Sequence, residues 1–535
     1  MESERLVPAV ARPARLAEEK SSVSLVKPED GSLVTYLLWG TAFVLVLSIL
    51  ALVAFTWKWG MFGDATLLHY EVFLAERGWV PYRDLREINP PGSYLPLFVL
   101  QKFFHSDSMV WRCYDLVVVS SVSFALYWIA RESRVFLALW GGSVFAAIHV
   151  RDGIDQVGQR DLEAAAILLL ATALLLYGRR SEKAGWIVGF GVLVGLATTI
   201  KPVFAIFLLM GVIGQPAGQR WLARGAAMLL ALAGWIAAPG ACLLWLLHAG
   251  AARGFWYSIS VLAPYHASLG RLSPLTLLNR GFSPLLPLLL VWTACAIVRG
   301  NVIERTEWKL LGFGALLGLV CLFVQGKGYP YHRYPMMAFL LAFVMQDMLS
   351  FLSYPGWRRG LAAGAVLWTS FWLVPSCVYK AQGYEAAKYG VARTLLEADL
   401  EATRRAIGLG SLDHEVQCID SVGGCIEALD HMRIEPATGA LYDEFLFHDA
   451  RARAVRESRD RFLREMHMAA PAVIVMTDRL FPDGPDGYVK LSRWPEFSQW
   501  LDGHYKMILE RRASLRIRSM GGEVHLSSHR IYVLR

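Results

Sequence analysis

Long apolar stretches separated by short polar ones occupy most of the first 380 residues. The run 34-VTYLLWGTAFVLVLSILALVAFTW-57 is long enough to cross the ~30 Å hydrocarbon core of a bilayer. Similar stretches lie near 109–130, 135–150, 161–178, 184–200, 202–214, 225–248, 283–298, 309–325, 335–351 and 361–379, which predicts about eleven transmembrane helices. From about residue 381 the pattern changes. Helical periodicity over 385–408 and 449–468 alternates with the strand patterns 472-AVIVMT-477 and 531-IYVLR-535, which predicts a small α/β domain. The fold class is therefore an α-helical polytopic membrane protein with a C-terminal α/β domain over 381–535. No repeat of fixed period stands out, and neither does a Walker or GxGxxG signature.

The loop after the first span, 58–108, has a pattern of its own. The segment 63-GDATLLHYEVFLAERG-78 reads as an amphipathic helix, followed by the Pro/Gly-punctuated turn 81-PYRDLREINPPGS-93. The apolar run 94-YLPLFVLQKFF-104 is too short to span and suits the membrane interface. A second stretch, 249–282, is rich in aromatics and also predicts interfacial helices.

Composition supports this picture. The chain is 55% hydrophobic and only 18% charged, against ~25% for a soluble domain. The net charge of +8 belongs to membrane topology, and nothing in its distribution calls for nucleic acid. With the N-terminus inside, the basic residues fall into the inside loops: Arg131/Arg134, Arg179/Arg180/Lys183, Arg220/Arg224, Arg299/Arg305/Lys309 and Arg358/Arg359. The polar stretch 1–33 is then a disordered cytoplasmic tail, the helices of 34–380 form the membrane module, and the first loop and the C-terminal domain are extracytoplasmic. Of seven cysteines, Cys418 and Cys425 fall in that domain, in 418-CIDSVGGC-425. An oxidising compartment and the Gly423–Gly424 turn between them predict a disulfide; two thiols alone make a poor zinc site.

Asp64 and Glu87 are the most informative acids. They share one structured loop beside the bilayer, where two carboxylates can face a headgroup. The plainer alternative makes Asp64 a cap of the helix that follows Gly63 and leaves Glu87 solvated.

An acid after the first span, then Gly78-Trp79-Val80-Pro81-Tyr82-Arg83-Asp84, then Glu87-Ile88-Asn89-Pro90-Pro91, resembles the first-loop pattern of the GT-C glycosyltransferases. It looks most like glycosyltransferase family 39, with its protein O-mannosyltransferases, lipid A aminoarabinose transferases and lipopolysaccharide galacturonosyltransferases. The resemblance covers residues 34–380. Two positions depart from it: Ala65 follows Asp64 where the family usually has Asp-Glu, and Ile88-Asn89 stand where it often has a single Lys. The resemblance implies Asp64 as the catalytic residue and Glu87 as the second loop acid. It also implies a polyprenyl-phosphate sugar donor, a lipid, glycan or protein acceptor, and an active site on the outer face of the inner or plasma membrane.

That chemistry needs a base for the acceptor proton and cations for the departing phosphate. A phosphate leaves as an anion without a general acid, and a single displacement inverts the anomeric centre. The expected donor-phosphate ligands are Lys201 (in a Lys-Pro that also resembles the family), Lys327, His332 and Arg333 of 326-GKGYPYHRYP-335, and Arg160. Snorkelling to lipid headgroups is the competing role for these cations. The sequence names no cofactor. A divalent cation at Asp152 and Asp155 is the remaining candidate, without an evident third ligand. His69 reads as a helix-surface residue. A transporter of a polyprenyl-linked sugar would show mid-span charges and inverted repeats. A non-catalytic scaffold would leave the loop acids unexplained.

Overall fold

The computed structural model describes residues 32–535 apart from 105–107, 131–132, 182, 214–220, 300–305, 354–355, 382–383, 422, 483, 486, 513 and 518–521. The N-terminal tail through residue 31, and with it Arg131, Arg220 and Arg305 of the topology argument, lies outside the described residues. Among the described residues, eight helices are long and apolar enough to cross a membrane. Shorter apolar helices, Gly185–Ile200 and Pro202–Val212, accompany them. The count of eleven is not reproduced, because several predicted spans are short, broken or joined. The helix Tyr334–Ser350, for example, is only 17 residues long.

Six helices set the position of the site. α1 (Leu33–Phe55) starts at Ser32, whose hydroxyl accepts from Thr35 N at 3.3 Å. α2 (Asp64–Glu76) begins where Gly63 turns the chain at φ 55°, ψ −123°, a conformation that suits glycine. α3 (Leu95–Phe104) is the short apolar helix, with Leu95, Val99, Phe103 and Phe104 exposed for lipid. α4 (Ser108–Ile129) packs against both α5 (Arg134–Asp152) and α6 (Arg160–Ser181). Their apolar side chains join those of α1 and the later spans in one continuous core, including Trp111, Trp140, Phe207 and Phe339.

The C-terminal domain carries a four-stranded sheet in the order Val416–Ile419, Val473–Thr477, His529–Leu534, Tyr505–Arg511. The first pair is parallel and the others antiparallel. Both predicted strands are in it, and the predicted helices appear as Tyr384–Ala406 and Arg453–Ala469. Cys418 and Cys425 are joined by a disulfide with their Cα atoms 6.0 Å apart. It ties the first strand to the helix Cys425–Met432.

The fate of α2 differs from the expectation of an amphipathic helix on a membrane surface. Residues Ala65 through Leu74 are all buried. Leu67, Leu74 and Leu85 of the first loop share an apolar core with Leu396, Val416, Ile426 and Leu429 of the C-terminal domain. The polar side of the helix is covered too. His69 is not on the surface: its Nδ1 bonds Asp430 at 2.8 Å. Tyr70 donates to the Ile434 carbonyl at 2.8 Å, and Arg86 N to the Gly439 carbonyl at 2.9 Å. The first loop is a layer between the bundle and the domain, because its polar face finds protein partners rather than water.

Candidate active site

The Pro90-Pro91-Gly92 turn brings the first loop onto the end of the short helix Gly185–Ile200. A Cβ at Gly92 would lie 2.2 Å from Thr199 Oγ1, so only glycine permits this approach. Ser93 then donates to the Ile200 carbonyl at 3.2 Å. This contact sets Lys201 next to the loop that carries Asp64 and Glu87.

Asp64 sits in the first turn of α2 but does not cap it; the cap position, Gly63, has no side-chain bond. Its carboxylate turns to the bundle instead. Arg160 Nη2 donates to Asp64 Oδ2 at 2.8 Å, and the Tyr331 hydroxyl donates to the same oxygen at 3.2 Å. The Asp64 side chain remains 41% exposed. Burial alone would raise its pKa, but Arg160 and then Lys201 outweigh it and hold the carboxyl below its ordinary value. Asp64 is therefore an open, ionised carboxylate on a cationic floor.

Glu87 has the opposite environment and is fully buried, not solvated. Ile88 N donates to its Oε1 at 2.7 Å, Asn89 N bonds the same oxygen, and the Tyr442 hydroxyl donates to Oε2 at 3.0 Å. Asn89 in turn donates to Tyr442 at 3.1 Å and accepts from Arg160 Nη1. Arg160 thus links the two loop acids: directly to Asp64, and through Asn89 and Tyr442 to Glu87. Glu71 faces Glu87 from α2. Burial first, then the Glu87 charge, pushes the Glu71 carboxyl far above its ordinary value.

The expected cations divide into two groups. Lys201 Nζ reaches Asp161 Oδ2 at 2.5 Å and Gln325 Oε1 at 2.7 Å, and lies over the Tyr331 ring at 5.5 Å. Lys327 bonds His266 Nε2, and His266 Nδ1 meets Glu444 Oε1 at 3.0 Å. With Lys327 donating, the imidazole donates onward to Glu444. Burial lowers the Lys327 pKa to about 8. His332 is enclosed by Tyr329 and Tyr331, and burial followed by Lys201 and Lys327 keeps its imidazole neutral. Arg333 departs from this group. Its guanidinium bonds Asp152 and the Arg280 carbonyl, on a different cavity from Asp64. The tight turn at 326–335 therefore serves two sides of the bundle. Asp152, one of the two acids considered for a cation, carries Arg333; no group of three or more His, Cys, Asp or Glu side chains suited to a metal occurs among the described residues.

Glu71, Tyr442, His266 and Glu444 were not singled out from the sequence. Glu71 looked like one polar position of an amphipathic helix. The other three sit far along the chain from Asp64, and only folding brings them in. Tyr331 lies inside the 326–335 segment singled out from the sequence, and Asp161 directly follows Arg160.

No protein-family model matches the chain, and no curated protein does. Solved structures do. ArnT from Cupriavidus metallidurans bound to undecaprenyl phosphate superposes with a TM-score of 0.56 at 13% identity, over 92% of this chain and 98% of that one. The apo form of ArnT gives a TM-score of 0.52 over the same shares. The chain has the GT-C fold. The superposition extends over 92% of this chain, so it takes in the helical membrane module, the first loop and most of the sheet-containing C-terminal domain.

Proposed function

We propose that the protein is a GT-C glycosyltransferase that moves a sugar from a polyprenyl phosphate to a lipid, glycan or protein acceptor, with inversion. The observation that carries this is Asp64: an ionised, partly open carboxylate whose Oδ2 is held by Arg160 and Tyr331. Both contacts fall on one oxygen, which leaves Oδ1 to take the proton of an incoming hydroxyl. Lys201 and Lys327 supply positive charge for the phosphate that accumulates charge as it leaves. Arg160 steadies the base rather than joining them, since its guanidinium is already shared between Asp64 and Asn89. Glu87 shapes the loop through Asn89 and Tyr442. Arg333 and His332 take no direct part in this proposal. The site and the C-terminal domain face the extracytoplasmic side in this reading, which the basic inside loops support. ArnT, bound to undecaprenyl phosphate, supports the donor class. Ionisable groups within the spans, such as Arg112 and Asp115, pair with each other near the start of α4, which fits an enzyme better than a mid-membrane transport site.

Asp64→Asn tests the proposal. It keeps the shape of the side chain but cannot accept a proton. Transfer from a labelled polyprenyl-phosphate sugar in detergent should fall by ~10²–10⁴-fold, while donor binding, measured separately, persists. Near-normal turnover of a well-folded Asp64→Asn protein would end the assignment.

A further inference from the structure

On the far side of the 326–335 turn from Asp64 lies a cavity of 460 Å³ lined by Arg151, Asp152, Arg280, Arg333, Tyr379 and Lys380, among others. Two residues of one short turn divide the space. Tyr331 reaches Asp64, whereas Arg333 lines this cavity. Among the described residues, four cations line it with one carboxylate, Asp152, which is engaged by Arg333 and lies 3.9 Å from Arg151. Arg333 is buried, and its terminal nitrogens are taken by Asp152 and the Arg280 carbonyl. That excess of positive charge around one cavity makes an anion its natural ligand.

The position of the cavity says where that anion comes from. Arg151 and Asp152 end α5, Arg333 immediately precedes the helix Tyr334–Ser350, and Lys380 ends Val374–Ala381. The cavity is therefore level with the span ends, where lipid phosphates lie. Tyr379 at its rim is half exposed, and Leu275 and Leu286 nearby in the chain present open apolar surface. We propose that this cavity is a second anion site that takes a phosphate group at the membrane surface, separate from the phosphate site beside Asp64. Arg280, Arg333 and Lys380 grip the phosphate, the Tyr379 ring meets the glycerol or acyl region, and Asp152 holds Arg333 in place.

The test uses purified full-length protein in a phosphate-free detergent. Dihexanoyl phosphatidic acid and, in a separate arm, inorganic phosphate are titrated and followed by ³¹P NMR. Saturable binding is expected, weakened about tenfold or more in the Arg280→Gln/Lys380→Gln double variant, since each removes a charge-assisted hydrogen bond. Asp152→Asn removes the competing charge while its amide oxygen can still accept from Arg333, and should tighten binding, a gain that misfolding cannot mimic. Binding of the lipid but not of inorganic phosphate identifies a headgroup site; equal binding of both identifies a site for soluble phosphate. Unchanged affinity in the Arg280→Gln/Lys380→Gln protein overturns the proposal. So does binding that is lost in Lys201→Gln and kept in that double variant, which would place the phosphate beside Asp64.

Discussion

Tyr442 of the C-terminal domain donates its hydroxyl to Oε2 of Glu87, 355 residues earlier in the chain, at 3.0 Å. Glu87 is fully buried, so this bond and the two backbone N–H groups are what make its carboxyl oxygens tolerable there. Tyr442→Phe removes the donor and nothing else of size. The loop around Glu87 should lose ~1–3 kcal/mol, the range for leaving a buried acceptor without its partner. Amide hydrogen exchange over 86–93 reads this directly, and faster exchange is expected there than elsewhere in the first loop. Transfer should fall with it, because Asn89 is shared between Tyr442 and Arg160.

Glu71 gives a stability prediction with a definite sign. Its pKa in the folded protein is raised well above the ordinary 4.5 by burial and then by Glu87. A group of this kind contributes stability below its unfolded pKa and loses that contribution as pH rises toward its folded value. Glu71→Gln imitates the protonated form at every pH. The variant should therefore unfold at a higher temperature than the parent at pH 7, with the advantage shrinking toward pH 4. An advantage that grows on acidification would contradict a protonated Glu71.

Lys327 predicts an alkaline limb. Burial brings its pKa to about 8, so its positive charge fades as pH rises through that value. If Lys327 holds the donor phosphate, KM for the polyprenyl-phosphate sugar should climb above about pH 8. Lys327→Arg keeps the charge throughout that range, and its KM should stay flat there. A parent enzyme with a flat KM profile from pH 7 to 9 would remove Lys327 from the donor site.

The disulfide Cys418–Cys425 anchors the helix whose Asp430 holds His69 of α2. Replacing both cysteines by serine should cost the domain ~2–4 kcal/mol at most, and less for so short a loop. The effect should extend beyond the domain, with faster proteolysis of the first loop, because α2 and the helix Cys425–Met432 share one core. Quantitative alkylation of both thiols in the non-reduced protein would show that the bridge does not form.

The sequence by itself determined the membrane module, the structured first loop, both strand patterns of the C-terminal domain and the two loop acids. These are carried by local signals: apolar run length, period, and Pro/Gly punctuation, which act within a few residues. It also placed Lys201, Lys327 and Arg160 among the candidate cations. Tertiary structure decided how those charges are shared. Lys201 is held by Asp161, Arg160 is divided between Asp64 and Asn89, and Arg333 leaves its neighbours for Asp152. It alone made α2 a buried layer and Glu87 a buried acid, since the groups that cover them, Asp430 and Tyr442, lie more than 350 residues away. Charge and polarity are properties of a residue and can be read in order along the chain. Burial and pairing belong to the space between residues, and that space exists only once the domain has closed over the loop.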